Sequence, residues 1–325
     1  MTEKYLPLLA TITVFAALFV TGGLLYDNFF STLVLGYILA DNAFVIIAAI
    51  GTTFVILSGG IDLSIGSMIG FVGVAMANLD AAGWHPLASA VMMLGFGLLF
   101  GALQGFIIEF FEIQPFIITL AGLFMLRGSC FMINLEAVPL RHPFVEIFAD
   151  TSIPLPGGGF LTSSAIVMLA VLLVAIIIAH FTRFGANVYA IGGDRTSAAL
   201  MGVPMRRTIV AIYALGGAYS ALGGIIYALY TSSGYPLAGS GNELSAIAAV
   251  VLGGTLLTGG VGMVAGTLFG GMILGLIATL INFNGSLNGA WIMISGGVLL
   301  FLFIVMQRSI VGSFKLRRTA QTGQG

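Results

Sequence analysis

Residues Leu57–Gly66 read LSGGIDLSIG. Two adjacent glycines, two serines and an aspartate stand inside a long apolar region. A carboxylate at the centre of a membrane-spanning helix costs roughly 2.5–3.5 kcal/mol on insertion scales. Asp62 therefore has to find hydrogen-bond donors or water, and the way it does so decides what kind of membrane protein this is.

The surroundings leave little doubt about the class. The chain has 325 residues, 59% hydrophobic and 7% charged, with a mean hydropathy of +1.12. Soluble domains carry about 25% charged residues. The expected fold is all-α and polytopic, one transmembrane domain over residues 1–325, and the 46 glycines suit close helix packing in lipid. Cys130 is the single cysteine. It excludes an internal disulfide framework and a Cys-rich metal site, and reads as a small packed hydrophobe. His85, His142 and His180 are scattered without ligand spacing, so no metal site is expected. The absence of a Gly-Lys-Ser/Thr phosphate loop argues against ATP binding by this chain. Neither HExxH nor Gly-x-Ser-x-Gly is present, and the GGD at 192–194 has no intramembrane Asp partner, so an intramembrane enzyme is not expected.

A spanning helix needs about 20 apolar residues. Clear candidates lie at 6–26, 86–108, 115–134, 162–181, 208–230, 263–282 and 289–306, with less regular ones at 33–57, 61–78 and 244–258. These make about ten spans. The first reads as a retained helix rather than a cleaved signal. With ten spans, Lys4, Arg183, Arg195, Arg206, Arg207, Arg308, Lys315, Arg317 and Arg318 fall on one side, which the positive-inside rule makes cytoplasmic, with both termini. The loops are too short for a soluble domain, so an energy source or ligand receptor would come from other chains.

The opening stretch has an echo. Leu57-Ser58-Gly59-Gly60-Ile61 aligns without gaps with Leu257-Thr258-Gly259-Gly260-Val261, Gly66 with Gly266, Gly70 with Gly270, and Asn42 with Asn242. This predicts two half-repeats, roughly 30–135 and 205–306. In each, a polar pair (Asp41-Asn42; Asn242-Glu243) precedes a run, 43–57 or 244–258, that would reach only about 22 Å at 1.5 Å per residue, short of a core of about 30 Å. Paired short, Gly-interrupted segments in two halves point to a translocation path. Counting crossings makes the copies parallel, whereas a re-entrant segment would change the count.

At the break, Gly59-Gly60 suits a helix stop, and Asp62 or Ser64 suits the N-cap of the next helix. The functional alternative is that Ser58, Asp62 and Ser64 line a polar passage, with Asn42, Asn242, Glu243 and Thr258 as further candidates. For Glu243 the competing reading is a surface loop. Gly66 and Gly70, then Gly262, Gly266 and Gly270, and the series Gly97, Gly101 and Gly105 recur at four-residue spacing and read as helix packing surfaces. The loop 182–207 contains RTSAALMGV, a short helix with Asp194 or Thr196 near its cap. It reads equally as a partner-docking element or as a membrane-surface helix held by arginines.

The segments TTFVILSGGIDLSIGS, PFIITLAGLFMLRG, RFGANVYAIGGDRTSAALMGV and AIAAVVLGGTLLTGGVGMVAGT resemble the ribose, xylose and arabinose family of ABC-importer permeases, in order over roughly residues 35–305. Within it, the PGGG loop, GYPLAG and INFNG look most like the galactofuranose permease subunit. The resemblance implies a bacterial inner-membrane permease with no catalytic residues and no cofactor of its own. It would form a heterodimer with a second permease and receive sugar from a periplasmic binding protein. A cytoplasmic ABC ATPase would use the ATP and dock on a loop carrying Gly192, Gly193, Asp194, Arg195, Ala198 and Gly202. Membrane lipid is the other contact, and nucleic acid is not expected. Gly262 stands where a strict duplicate of Asp62 would have Asp, which puts equivalence of the two copies in doubt. The rival function is a secondary sugar transporter driven by an ion gradient, suggested by the broken helices and Asp62.

Overall fold

The computed structural model describes residues 2–285, 289–303 and 305. The chain is helical, with α1 Thr2–Leu25, α2 Thr32–Leu57, α3 Ile65–Ala81, α4 Pro86–Phe110, α5 Pro115–Ile133, α6 Pro143–Asp150, α7 Ser163–Phe181, α8 Arg183–Gly193, α9 Arg195–Leu200, α10 Met205–Thr231, α11 Asn242–Leu252, α12 Val264–Asn284 and α13 Ala290–Phe303. Seven of these, α1 (from Pro7), α2, α4, α5, α7, α10 and α12, are long and apolar enough to cross a membrane, and α3, α11 and α13 are shorter apolar helices. Together they occupy the ten predicted segments. Lys4's side chain and Arg308, Lys315, Arg317 and Arg318, which carry part of the orientation argument, lie outside the described residues.

Local sequence sets the boundaries. Prolines open α4, α5 and α6 at the first helical position, where the missing N–H costs nothing. The hydroxyls of Ser31, Thr162 and Thr182 accept from the amides of Val34, Ala165 and Gly185 and so cap α2, α7 and α8.

The first expected boundary inside the repeat is absent. Asp41-Asn42 lies within α2, an unbroken helix of 26 residues that reaches about 39 Å. Asn42 turns its amide back to the Ile38 carbonyl at 2.8 Å, so it needs no helix end. In the second copy the helix is only 11 residues, because α11 starts at Asn242 and stops at Leu252 rather than at 258.

Contacts fix the directions. Gly275 of α12 faces Asn42, Gly271 faces Ile46, and the Thr53 and Thr267 hydroxyls meet at 2.7 Å, so α12 runs antiparallel to α2. Gly266 faces Gly253 and Gly270 faces Ala249, so α12 also runs antiparallel to α11. The helices α2 and α11, which hold corresponding positions in the echo, are therefore parallel. At the centre, α10 packs against α4 through backbone at Gly97, Gly101 and Gly105, which face Gly217, Tyr213 and Val210. The four-residue glycine spacing serves close packing.

One end of the molecule carries the segment between α5 and α7, which forms two small ladders, one of them with the strand that follows α10. These are β1 Val138–Pro139 with β4 Ser233–Gly234, and β2 Ser152–Pro154 with β3 Phe160–Thr162. The hairpin presses on the start of α2 at Gly36. The opposite end carries α8 and α9 with the end of α4, where Arg195 pairs with Glu109.

Candidate translocation path and its loop contact

The first break is a complete helix stop. The Gly60 N–H donates to the Val55 carbonyl and the Gly59 N–H to the Ile56 carbonyl, both at 2.9 Å. Gly59 has φ +82. This is the two-bond glycine stop expected from the sequence. Asp62 behaves differently from the expectation. Its Oδ1 accepts the Ser64 amide at 2.8 Å and the Ser64 hydroxyl at 2.7 Å. Ser64 is the N-cap of α3 by position, but its side chain accepts no helix N–H. Asp62 thus closes a turn ahead of α3 instead of capping its first turn, and it is 2% exposed.

Two neighbours of this turn were not foreseen. The Ser64 hydroxyl lies 3.4 Å from Gln104 Oε1 on α4, and Gln104 Nε2 is buried with no partner among protein atoms. The Tyr213 hydroxyl on α10 donates to the Ile61 carbonyl at 3.4 Å. Gln104 could have been noticed as the amide beside Gly105 in an otherwise apolar series, whereas Tyr213 carries no local signal.

The second break uses an earlier glycine pair. The Thr255 N–H donates to the Val250 carbonyl at 3.2 Å and the Gly254 N–H to Val251 at 2.9 Å, the same two-bond stop five residues ahead of the aligned one. The first copy has Thr53-Phe54 at the matching positions and continues as helix. The carbonyl of Leu252, freed at the helix end, accepts the Thr11 hydroxyl at 2.7 Å. The Thr255 side chain fills the space that a side chain at Gly262 would need, with its Cβ 2.7 Å from where one would start. That crowding leaves no room for a counterpart of Asp62.

The two breaks meet each other and the loop. The Gly260 N–H donates to the Leu57 carbonyl at 2.9 Å. A Cβ on Gly192, at the end of α8, would run into that same Leu57 oxygen and lie 2.5 Å from Gly260 N. One on Gly260 would lie 2.7 Å from Gly193 Cα, and one on Gly259 would lie 2.8 Å from Gly59 N. Backbone from three separate parts of the sequence is thus in direct contact. Tyr189 of α8 adds a hydrogen bond to the Gly262 carbonyl at 2.9 Å. Beyond the junction the loop is largely helical. Asp194 caps α9, as the sequence suggested, by accepting the Ser197 amide at 2.6 Å, and this bond, joined by one from the Ser197 side chain, holds its carboxyl below the usual carboxylate range. Ala198 is buried and Gly202 has φ +79.

The remaining polar candidates divide. Ser58 bonds its own helix at Val55, and exposed Thr258 has its carbonyl beside Gly59, so these two sit with Asp62 and Ser64 around the junction. Asn42 lies apart, against Gly275. Asn242 and Glu243 form the first turn of α11 rather than a surface loop. Glu243 Oε1 accepts the Gly241 amide, and Oε2 is buried against Gly66 with no partner. One turn along α3, Gly70 faces Arg127, whose guanidinium holds the Pro236 and Ala238 carbonyls and pins the segment leading into α11. Arg127 stands inside α5, and no local pattern in the sequence signals this task.

Residues 34–305 match the family model described as branched-chain amino acid transport system / permease component. The inner membrane ABC transporter permease protein YjfF of Escherichia coli (strain K12) is 48% identical, covering 98% of this chain and 97% of its own. The fructose import permease protein FruG of Bifidobacterium longum is 32% identical over 95% of this chain and 92% of its own. The ribose import permease protein RbsC of Escherichia coli (strain K12) is 36% identical over 87% and 88%. No solved structure matches. A helical chain whose two broken segments meet at one loop, and most of whose length aligns with these proteins, is a multi-pass membrane permease, and it belongs to the ABC sugar-importer permease family of the ribose, xylose and arabinose type.

Proposed function

We propose that the chain is the permease subunit of an ATP-driven monosaccharide importer, with galactofuranose as the first sugar to test. The observation that carries the reading is the glycine junction, in which the end of α8 touches both helix breaks through backbone alone. In this reading a separate ABC ATPase docks on α8–α9 around Gly192, Gly193, Asp194, Arg195, Ala198 and Gly202 and uses the ATP, and its movement reaches Leu57 and Gly260 directly. The loop end and both termini are cytoplasmic. A second, different permease completes the channel, and a periplasmic sugar-binding protein delivers the sugar to the end that carries the two ladders. Ser58, Asp62, Ser64 and Thr258 then stand at the inner part of the path, with Asn42, Asn242 and Glu243 farther along it. The fructose and ribose named for the relatives support a monosaccharide, and the galactofuranose assignment rests on the loop motifs in the sequence.

The test is uptake of labelled sugars by vesicles holding this chain, its partner permease, the ATPase and the binding protein. Uptake is expected to need ATP and all four components. Uptake by this chain alone, or uptake that follows an ion gradient and ignores ATP, overturns the reading.

A further inference from the structure

Away from the glycine junction, toward the end that carries the ladders, one polar group is not absorbed by the path described above. Asp41 is exposed although it lies ten residues into a membrane-spanning helix. Such a carboxylate is tolerated where it faces water or protein rather than lipid. Its surroundings are aromatic. Tyr37, Asp41 and Phe44 follow at helical spacing along one face of α2, and Tyr227 and Tyr230 along one face of α10. The Tyr230 hydroxyl donates to Asp41 Oδ1. Tyr227 packs edge-on against Phe44 at 4.9 Å between ring centres, and Tyr37 against Phe160 of the external hairpin at 4.9 Å. Tyr37 and Tyr230 thus flank one carboxylate from two helices, Tyr227 lies one turn along α10 from Tyr230, and Tyr37 is 50% exposed. Rings that anchor a helix at a membrane surface point singly into the headgroups, whereas Tyr230 is bonded to the carboxylate and Tyr37 and Tyr227 pack against other rings.

We propose that Asp41 with Tyr37, Tyr227 and Tyr230 forms a recognition station for a neutral polyhydroxylated ligand, a free monosaccharide, at the outer mouth of the path. Because Tyr230 spends its proton on Oδ1, the tyrosine oxygen and Asp41 Oδ2 are left as adjacent acceptors for neighbouring sugar hydroxyls. The aromatic rings offer apolar faces to the C–H side of a sugar ring. Sites with few placed polar groups on an aromatic lining fix orientation in this way. The station deepens the transport reading and rests on it for its role, while its sugar binding stands on the geometry alone.

The experiment is tyrosine nitration by tetranitromethane on the full chain in lipid nanodiscs, read by mass spectrometry. It is run with D-ribose, D-galactose and D-fructose in turn, and with choline chloride as a cationic control. At least one sugar should lower nitration of Tyr37, Tyr227 and Tyr230 threefold or more while Tyr26, which packs against Phe29 and Phe283, is unchanged. Asp41→Asn should abolish that protection, and Tyr230→Phe should weaken it if the first variant inserts poorly. Protection by choline instead of sugar, equal loss of labelling at Tyr26, or no protection by any of the three sugars overturns the station. Sugar protection together with ATP-independent uptake would instead sink the transport reading and leave the station standing.

Discussion

The two glycine-pair breaks are nearly identical in sequence and differ in construction. At Gly59-Gly60 a full-length helix stops, and Asp62 closes a tight turn into α3. In the second copy an earlier pair, Gly253-Gly254, stops α11 after 11 residues, and Gly259-Gly260 is left as loop backbone free to reach Leu57. A glycine pair is permission for the chain to turn, and the first permission met in the helix is the one used. The first break is therefore a polar hinge between two helices, and the second is a tether that leans on it.

The sharpest way to break this contrast is at Gly192. A Cβ there collides with the Leu57 carbonyl, whereas Gly193 next to it faces open space. Gly192→Val should lower ATP-driven uptake at least about tenfold, a change of about 1.4 kcal/mol, and Gly193→Ala should leave it near normal at equal expression. Equal behaviour of the two variants in vesicle uptake would mean that the junction does not transmit motion.

Asp62 tests the polar half of the comparison. Asp62→Ala removes the acceptor of two buried hydrogen bonds and should destabilise the chain by about 1–3 kcal/mol, read as a loss of thermal stability in detergent. Asp62→Asn keeps an oxygen for the Ser64 amide and should cost clearly less. If both cost the same, the turn is not what Asp62 is for.

A smaller effect separates the two stops themselves. Alanine at a left-handed position costs about 1–2 kcal/mol, and both Gly59 and Gly254 have positive φ, +82 and +90. Around Gly59 there is space, while Gly254 faces Pro7 of α1 at 2.7 Å. Gly254→Ala should therefore lower the melting temperature more than Gly59→Ala, and the opposite order would show that α1 is not packed on the second stop. The smallest effect is at the loop. Asp194 is held below its ordinary range by Ser197, so its cap is complete above the unfolded carboxylate value and weakens as pH falls through the folded one. Asp194→Asn should remove that acid sensitivity from the loop, measured as the pH dependence of protease cleavage between α8 and α10 across pH 3–6.

The ten apolar segments and the first helix stop were legible in the sequence, since length and hydropathy decide whether a segment can span, and glycine decides where a helix can end. The second stop was missed because alignment with the first copy drew attention to residues 259–260 while the nearer pair at 253–254 had already released the helix. The polar pair Asp41-Asn42 looked like a boundary because its residue types favour ends, yet Asn42 satisfies itself inside the helix through the Ile38 carbonyl. Gln104, Tyr213 and the carbonyls held by Arg127 belong to distant parts of the chain. No local pattern announces contacts made across 40 to 152 residues.

The contact between Gly192, Leu57 and Gly260 has a mechanical corollary. Side chains at an interface can swing between rotamers and absorb small displacements before anything behind them moves. Here none intervenes, so the linkage has almost no play. The Gly260–Leu57 hydrogen bond is 2.9 Å long, and such bonds fade once stretched by about half an ångström. A displacement of α8 comparable to that stretch would be felt at both breaks, because backbone meets backbone at each.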